Sequence, residues 1–131
     1  MDLKKIINIS GKPGLYIVIS NVKNILILES LIDKKRIPLN THAQANMLNE
    51  IGIYTYSDTK PLSDVFDLIA KKENYNISIS HKLSKNELTL YFRGILDDYD
   101  EERVYLSDIK KVIQWYNILH KSGYIKKDIS Q

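Results

Sequence analysis

Over the first 56 residues, apolar positions come in short runs broken every few residues. "KKIINIS" is followed by the turn "GKPG" at residues 11–14, where Pro13 fixes φ and Gly14 can take a positive φ. "LYIVIS", "ILILESLI" and "RIPL" then alternate with the polar breaks "NVKN" and "DKKR". Pro38 in "RIPL" suits an edge strand, where a missing N–H costs little. "IGIYTY" closes the series after a longer interruption, "NTHAQANMLNE" at residues 40–50, which fits a turn of helix. Five short strands with a helical turn before the last is the pattern of a small SH3-like β-barrel, in which closure removes exposed sheet edges; periodicity alone does not separate this barrel from an OB-type barrel or an open meander.

The period then changes from strand-like to helical. In "TKPLSDVFDLIAKKEN", Leu62, Val65, Phe66 and Ile69 recur at i, i+3, i+4 and i+7 and form one apolar stripe. Pro61 sits in the first turn, Asp64 lies early, and Lys71 and Lys72 lie late, which suits the helix dipole. "NYNISISHKLSKN" shows no strong period and reads as a linker. "SKNE" is a capping box, with Ser84 as N-cap and Glu87 three residues on, ahead of the stripe Leu88, Tyr91, Phe92, Ile95 and Leu96. A last helix starts at "SDIKK" with Ser107 as N-cap. Its stripe is Ile109, Val112, Ile113, Tyr116 and Leu119, broadened by Trp115, and Gly123 is its C-terminal cap.

The expected fold is α+β: an SH3-like five-stranded β-barrel followed by a helix and a C-terminal helical hairpin. Residues 1–73 form the barrel with its trailing helix, 74–83 the linker, and 84–131 the hairpin.

Composition narrows function mainly by exclusion. Of 131 residues, 44% are hydrophobic and 27% charged, as in an ordinary globular protein. The formal charge of +3 is too small to argue for nucleic acid by itself. Residues 1–73 hold ten Lys or Arg against eight acids and the remainder nine against eight, so neither half is a basic arm or an acidic tail. The absence of cysteine excludes disulfides, thiolate nucleophiles and Cys-based zinc sites. No apolar run is long enough to span a bilayer, and the first ten residues lack a secretory apolar region. The chain therefore reads as cytoplasmic, with no membrane contact.

The densest chemistry is "DDYDEERVYLSDIKK", where five of the six residues from Asp97 to Glu102 are acids. A calcium loop needs a glycine at its turn and a later bidentate Glu at set spacing, and neither is present. Paired-carboxylate hydrolysis needs acids held across a cleft, which adjacent loop residues do not supply. The segment reads as an interhelix loop, with Asp97, Asp98, Tyr99, Asp100, Glu101, Glu102, Arg103 and Tyr105 as a candidate protein-docking loop. The sharpest basic cluster is "DKKR". Lys34, Lys35 and Arg36, with Lys12 and Lys23, are the candidate nucleic-acid contacts at one end of the barrel, and Tyr16, Tyr54 and Tyr56 are candidate stacking rings. His42, His81 and His120 lack metal-ligand spacing, and no phosphate loop or nucleophile motif is present.

At "ISGKPGLY", "ESLIDKKRIPL", "IGIYTY" with "PLSDVF", and "DYDEERVYLSDIKKVIQWYN", the chain resembles a family of small proteins from Bacteroidota known as a domain of unknown function. The resemblance runs from Lys4 to about Leu119 and implies a bacterial cytoplasmic protein in which both modules are kept together. It implies no activity and no catalytic residues. The functional expectation is a non-enzymatic binding or adaptor module. It has no cofactor and no metal, and it contacts an unidentified protein partner in a transcription or translation setting. The alternative is RNA or DNA binding through the basic hairpin.

Overall fold

The computed structural model describes residues 2–40 and 45–127, and these form two compact units that divide between Ile51 and Gly52. The expected division at 74–83 differs from this one. The helix that follows Pro61 has its partners in the later helices, so it belongs with them.

The first unit, Asp2–Ile51, holds an antiparallel sheet of five strands. These are β1 (Ile6–Ile9), β2 (Tyr16–Val22), β3 (Ile25–Ser30), β4 (Arg36–Asn40) and β5 (Ala45–Met47), in the order β4-β3-β2-β1-β5. Register follows the apolar alternation. Ile7 pairs with Tyr16, Val18 with Leu28, Leu28 with Ile37 and Ile9 with Ala45. One face therefore carries Ile7, Ile9 and Leu28, all buried, with Tyr16, Val18, Leu26, Ile37, Leu39 and Ala45 packed around them. A one-residue slip in any strand would turn this set outward. Ile19 is the extra residue of a bulge between Val18 and Ser20. Lys23 and Asn24, at φ 49° and 66°, make the two-residue hairpin turn between β2 and β3, whose positive φ values match strand twist.

The sheet is open, which corrects the expected barrel. The "IGIYTY" run does not close it: Gly52–Tyr54 forms β6, which pairs with β7 (Thr59–Pro61) in a separate two-stranded sheet. The fifth strand is instead β5, inside the stretch expected to be helical, and the helical turn is a 3₁₀ turn at Leu48–Glu50. β4 and β5 are the two edges and do not pair among the described residues. Pro38 lies in β4, as its missing N–H demands.

The turns at the far end of β1 and β3 are locked together. Leu31 N–H donates to Leu15 C=O at 2.9 Å. Gly14, at φ +85°, leaves room for Ile32, whose Cδ1 would lie 2.7 Å from a Cβ at that position.

The second unit carries β6 and β7 and three helices, α1 (Leu62–Lys72), α2 (Lys85–Ile95) and α3 (Leu106–Lys121). Leu62, Val65, Phe66, Ile69 and Ala70 of α1 are buried, as are Leu88 and Phe92 of α2 and Ile109, Val112, Ile113, Trp115, Tyr116 and Leu119 of α3. Trp115 thus lies in the core. Ser84 caps α2 as expected, accepting from Glu87 N–H at 3.2 Å. The start of α3 lies earlier than Ser107: Tyr105 is the N-cap, and the Asp108 carboxylate accepts from its N–H at 2.9 Å. Gly123, at φ +85°, ends α3 in a Schellman motif, with Gly123 N–H on His120 C=O and Tyr124 N–H on Leu119 C=O.

Replacing Gly14 by Ala forces a Cβ onto Ile32 and puts an L-residue in the left-handed region. The expected cost is roughly 1–2 kcal/mol, read as a lower urea midpoint with an unchanged m-value. An unchanged midpoint would show that the two turns are not locked through this position.

Candidate functional site

The acidic loop begins where α2 ends. After the buried C-cap Leu96, residues 98–100 run beside β6: Tyr56 N–H donates to Asp98 C=O at 3.0 Å, and Asp100 N–H donates to Tyr54 C=O at 2.9 Å. The loop thus makes a single antiparallel bridge, Thr55 with Tyr99, to residues 54–56 at the end of β6. The chain then turns back on Asp100. Its carbonyl accepts from Arg103 N–H at 3.2 Å and Val104 N–H at 2.9 Å. Its carboxylate accepts from Arg103 Nε at 2.8 Å and Glu102 N–H at 3.0 Å. The Arg103 hydrogen bond, reinforced by the Glu102 N–H against the opposing effect of burial, holds the Asp100 carboxyl below its ordinary pKa. Arg103 also donates to Thr55 C=O at 3.4 Å and lies 4.3 Å from the centre of the Tyr54 ring.

Tyr99 is buried and meets Phe92 edge-on, ring centres 5.1 Å apart. The guanidinium of Arg93 lies over the other side of this framework, 5.6 Å from the Tyr99 ring centre, and pairs with Glu101. The eight candidate docking residues thus divide by role. Tyr99 and Asp100 are inside, Arg103 is exposed but bonded to Asp100, and Glu101 is exposed and paired with Arg93. Asp97, Asp98, Glu102 and Tyr105 are exposed. The loop walls two open grooves, each of about 370 Å³. One is bounded by residues 55–60 and the end of α2, the other by Lys85, Thr89 and Arg93 of α2 with Tyr105 and Ile109.

The five basic candidates do not form one cluster. Lys12 lies in the β1–β2 turn and Lys34 and Lys35 in the β3–β4 turn, at one end of the sheet. Lys23 lies in the β2–β3 turn at the opposite end, about 20 Å away along the strands. Arg36 opens β4 and pairs with Glu29 of β3 at 3.3 Å. Of the three candidate stacking rings, Tyr16 is half-buried on the core face of the sheet, while Tyr54 and Tyr56 belong to the second unit.

A polar network around residues 73–79 escaped the sequence reading. Asn74 and Tyr75 both have positive φ, 54° and 63°, and the chain beyond them is held by side chains. Tyr116 donates its hydroxyl to Asn76 C=O at 2.7 Å, Asn117 accepts from Ser78 N–H at 2.8 Å and donates to Ile79 C=O at 3.0 Å, and a ring nitrogen of His120 lies 3.1 Å from Tyr75 C=O. Tyr91 donates to the Glu73 carboxylate and shares a 2.7 Å hydrogen bond with Ser78 Oγ. The only sequence signal was Asn117 and His120 at i and i+3 on the last helix. His81 lies farther along the same segment. Burial, with the charges of Lys82 and Lys110, lowers its imidazole pKa. His42 lies outside the described residues. Among the described residues no three His, Asp or Glu side chains are grouped as metal ligands, and no helix is long and apolar enough to cross a membrane.

The family described as Domain of unknown function (DUF6852) matches residues 51–119, and the one described as Domain of unknown function (DUF5606) matches residues 3–48. The chain belongs to the DUF6852 family. The two matched stretches meet at the 3₁₀ turn, where the two units divide. DUF6852 covers the hairpin, the three helices and the acidic loop, whereas DUF5606 covers the five-stranded sheet. No curated protein matches. A solution NMR structure of a structural genomics target from Bacteroides vulgatus is 44% identical, covers 95% of this chain and 90% of its own, and has a TM-score of 0.78. The expected resemblance to a family of unknown function is thus borne out.

Two predictions test these networks. Because the Asp100 pKa is depressed, its contribution to stability is present above the ordinary carboxylate pKa and is lost as pH falls through the folded value. Asp100→Asn is expected to lower the thermal midpoint at pH 7, with the deficit shrinking below about pH 4. A deficit that stays constant down to pH 2.5 would refute the assignment. Burial and the Glu73 carboxylate raise the Tyr91 pKa, and burial with the Glu73 charge pushes Tyr116 up to about 12. Raised values mean stability that is intact below the ordinary phenol pKa and declines above about pH 10. Ultraviolet titration of the native protein should leave Tyr91 and Tyr116 protonated at pH 11, and Tyr91→Phe should remove one of these late phenols. All nine tyrosines ionising together in the folded protein would contradict it.

Proposed function

We propose that this protein is a non-enzymatic binding module whose partner protein docks on the loop from Asp97 to Tyr105. The observation that supports this reading is the division of labour inside the loop. The bridge to residues 54–56 and the Asp100 turn fix the backbone, while Asp97, Asp98, Glu102 and Tyr105 stay exposed on that fixed frame. A loop ordered before binding loses little conformational freedom on association, so its exposed groups contribute more of their interaction energy to affinity. Tyrosine is enriched at interface centres, and flanking carboxylates set charge preference and association rate. The exposed charge of the loop selects a partner that is basic at the contact.

The test uses a photo-reactive phenylalanine analogue at position 105, with position 71 on the exposed end of α1 as the control. Irradiation in native lysate is expected to give a discrete protein adduct from position 105 and none from position 71. The Asp98→Lys/Glu102→Lys variant should lose the adduct while keeping its circular dichroism spectrum. Identical adducts from both positions, or an adduct indifferent to the charge reversal, would remove the loop from consideration.

A further inference from the structure

The Asp2–Ile51 unit carries a second surface, independent of the docking loop. β1 and β3 run in the same direction, so the turns that leave them emerge at the same end of the sheet. The Leu31–Leu15 hydrogen bond and the seat of Ile32 on Gly14 join these turns into one tip. This brings Lys12 beside the turn that holds Lys34 and Lys35, although the sequence separates them by more than twenty residues. All three lysines are exposed, and none is in an ion pair among the described residues. Asp33 is the one acid within the two turns; its exposed carboxylate accepts Lys35 N–H at 3.0 Å and feels the Lys35 charge, and the three lysines outnumber it.

The tip is also held in shape. Ser30 N–H donates to Lys35 C=O at 2.9 Å, Lys34 N–H donates back to Ser30 C=O at 3.0 Å, and Ser30 Oγ accepts from Ile32 N–H at 3.1 Å. The lysines therefore stand on a fixed turn, and little backbone freedom is lost when they meet a partner.

We propose that this tip contacts the phosphate backbone of a nucleic acid, without regard to base sequence. Lysine ammonium groups are point charges that suit phosphates and lack the planar fork that reads base edges. Tyr16 is the only Phe, Trp or Tyr in this unit and faces its core, so base stacking does not contribute. An anionic lipid surface would draw on the same charge. However, the tip adds only two exposed apolar side chains, Pro13 and Ile32, far less apolar area than membrane anchoring needs.

The experiment measures anisotropy of a fluorescein-labelled 20-base-pair DNA duplex with the intact protein across a salt series. Three phosphate contacts predict a slope of log K against log salt of about −3. The Lys12→Ala/Lys34→Ala/Lys35→Ala variant should bind at least tenfold more weakly at low salt, with the slope falling toward zero. Lys23→Ala, which alters the opposite end of the sheet, should bind as the parent does. No duplex binding at low salt would overturn the proposal, as would an equal loss from Lys23→Ala. So would stronger binding to phosphatidylserine vesicles than to duplex.

Discussion

The second unit depends on the placement of Asp100. Its backbone closes the pairing of residues 98–100 with β6, and its carboxylate and carbonyl then fold the chain back toward α3. The two roles belong to one residue because the N–H points to Tyr54 while both acceptors point into the turn. Without the inward carboxylate, five acids in six residues would repel one another with nothing to order them. With it, one acid becomes a structural acceptor, another pairs with Arg93, and the rest are displayed. The aromatic pair Phe92–Tyr99 adds the apolar half of the same joint, since it ties the loop to α2 from the core side.

The sheet unit rests on a different economy. It buries one continuous apolar face, yet its edges are short or marked by proline, which discourages pairing with other chains. Its turns use Lys5, Gly11, Gly14, Lys23, Asn24 and Lys34 in left-handed conformations. Of the three lysines at the shared tip only Lys34 is among them, so the tip is held by the hydrogen bonds around Ser30 and by the Leu31–Leu15 link.

Much of this was legible in the chain. Helical periodicity placed the three helices to within a few residues, and the capping box at Ser84 marked the start of α2. Alternation gave β1 to β4. What failed was partnership. Nothing local distinguishes Gly52–Tyr54 as a strand of the large sheet from a strand of a new one, because both need the same alternating residues. β5 was hidden because "ANM" is too short and too polar to signal a strand. The N-cap of α3 was displaced to Tyr105 because Asp108 can cap from inside the helix, and its side chain reaches back to a residue with no capping group of its own. At the candidate site, sequence marked the acidic loop but not that Asp100 is its buried pivot. It marked five cations as one cluster, although hairpin topology sends Lys23 to the opposite end. The network around Tyr91 was invisible, since its side chains come from three separated stretches, around residues 73–79, 91 and 116–120, that only tertiary packing assembles.

The two units offer unlike surfaces, one acidic and aromatic on a fixed loop, the other basic on locked turns. The acidic loop is a rigid part of the fold, and amide hydrogen exchange at single-residue resolution reads that rigidity. The amides of Tyr56, Asp100 and Val104 are expected to exchange as slowly as those in the middle of α2 and α3, because they open only with the unit as a whole. Exchange of these three amides at the rate of free loop residues, with the helices still protected, would contradict it.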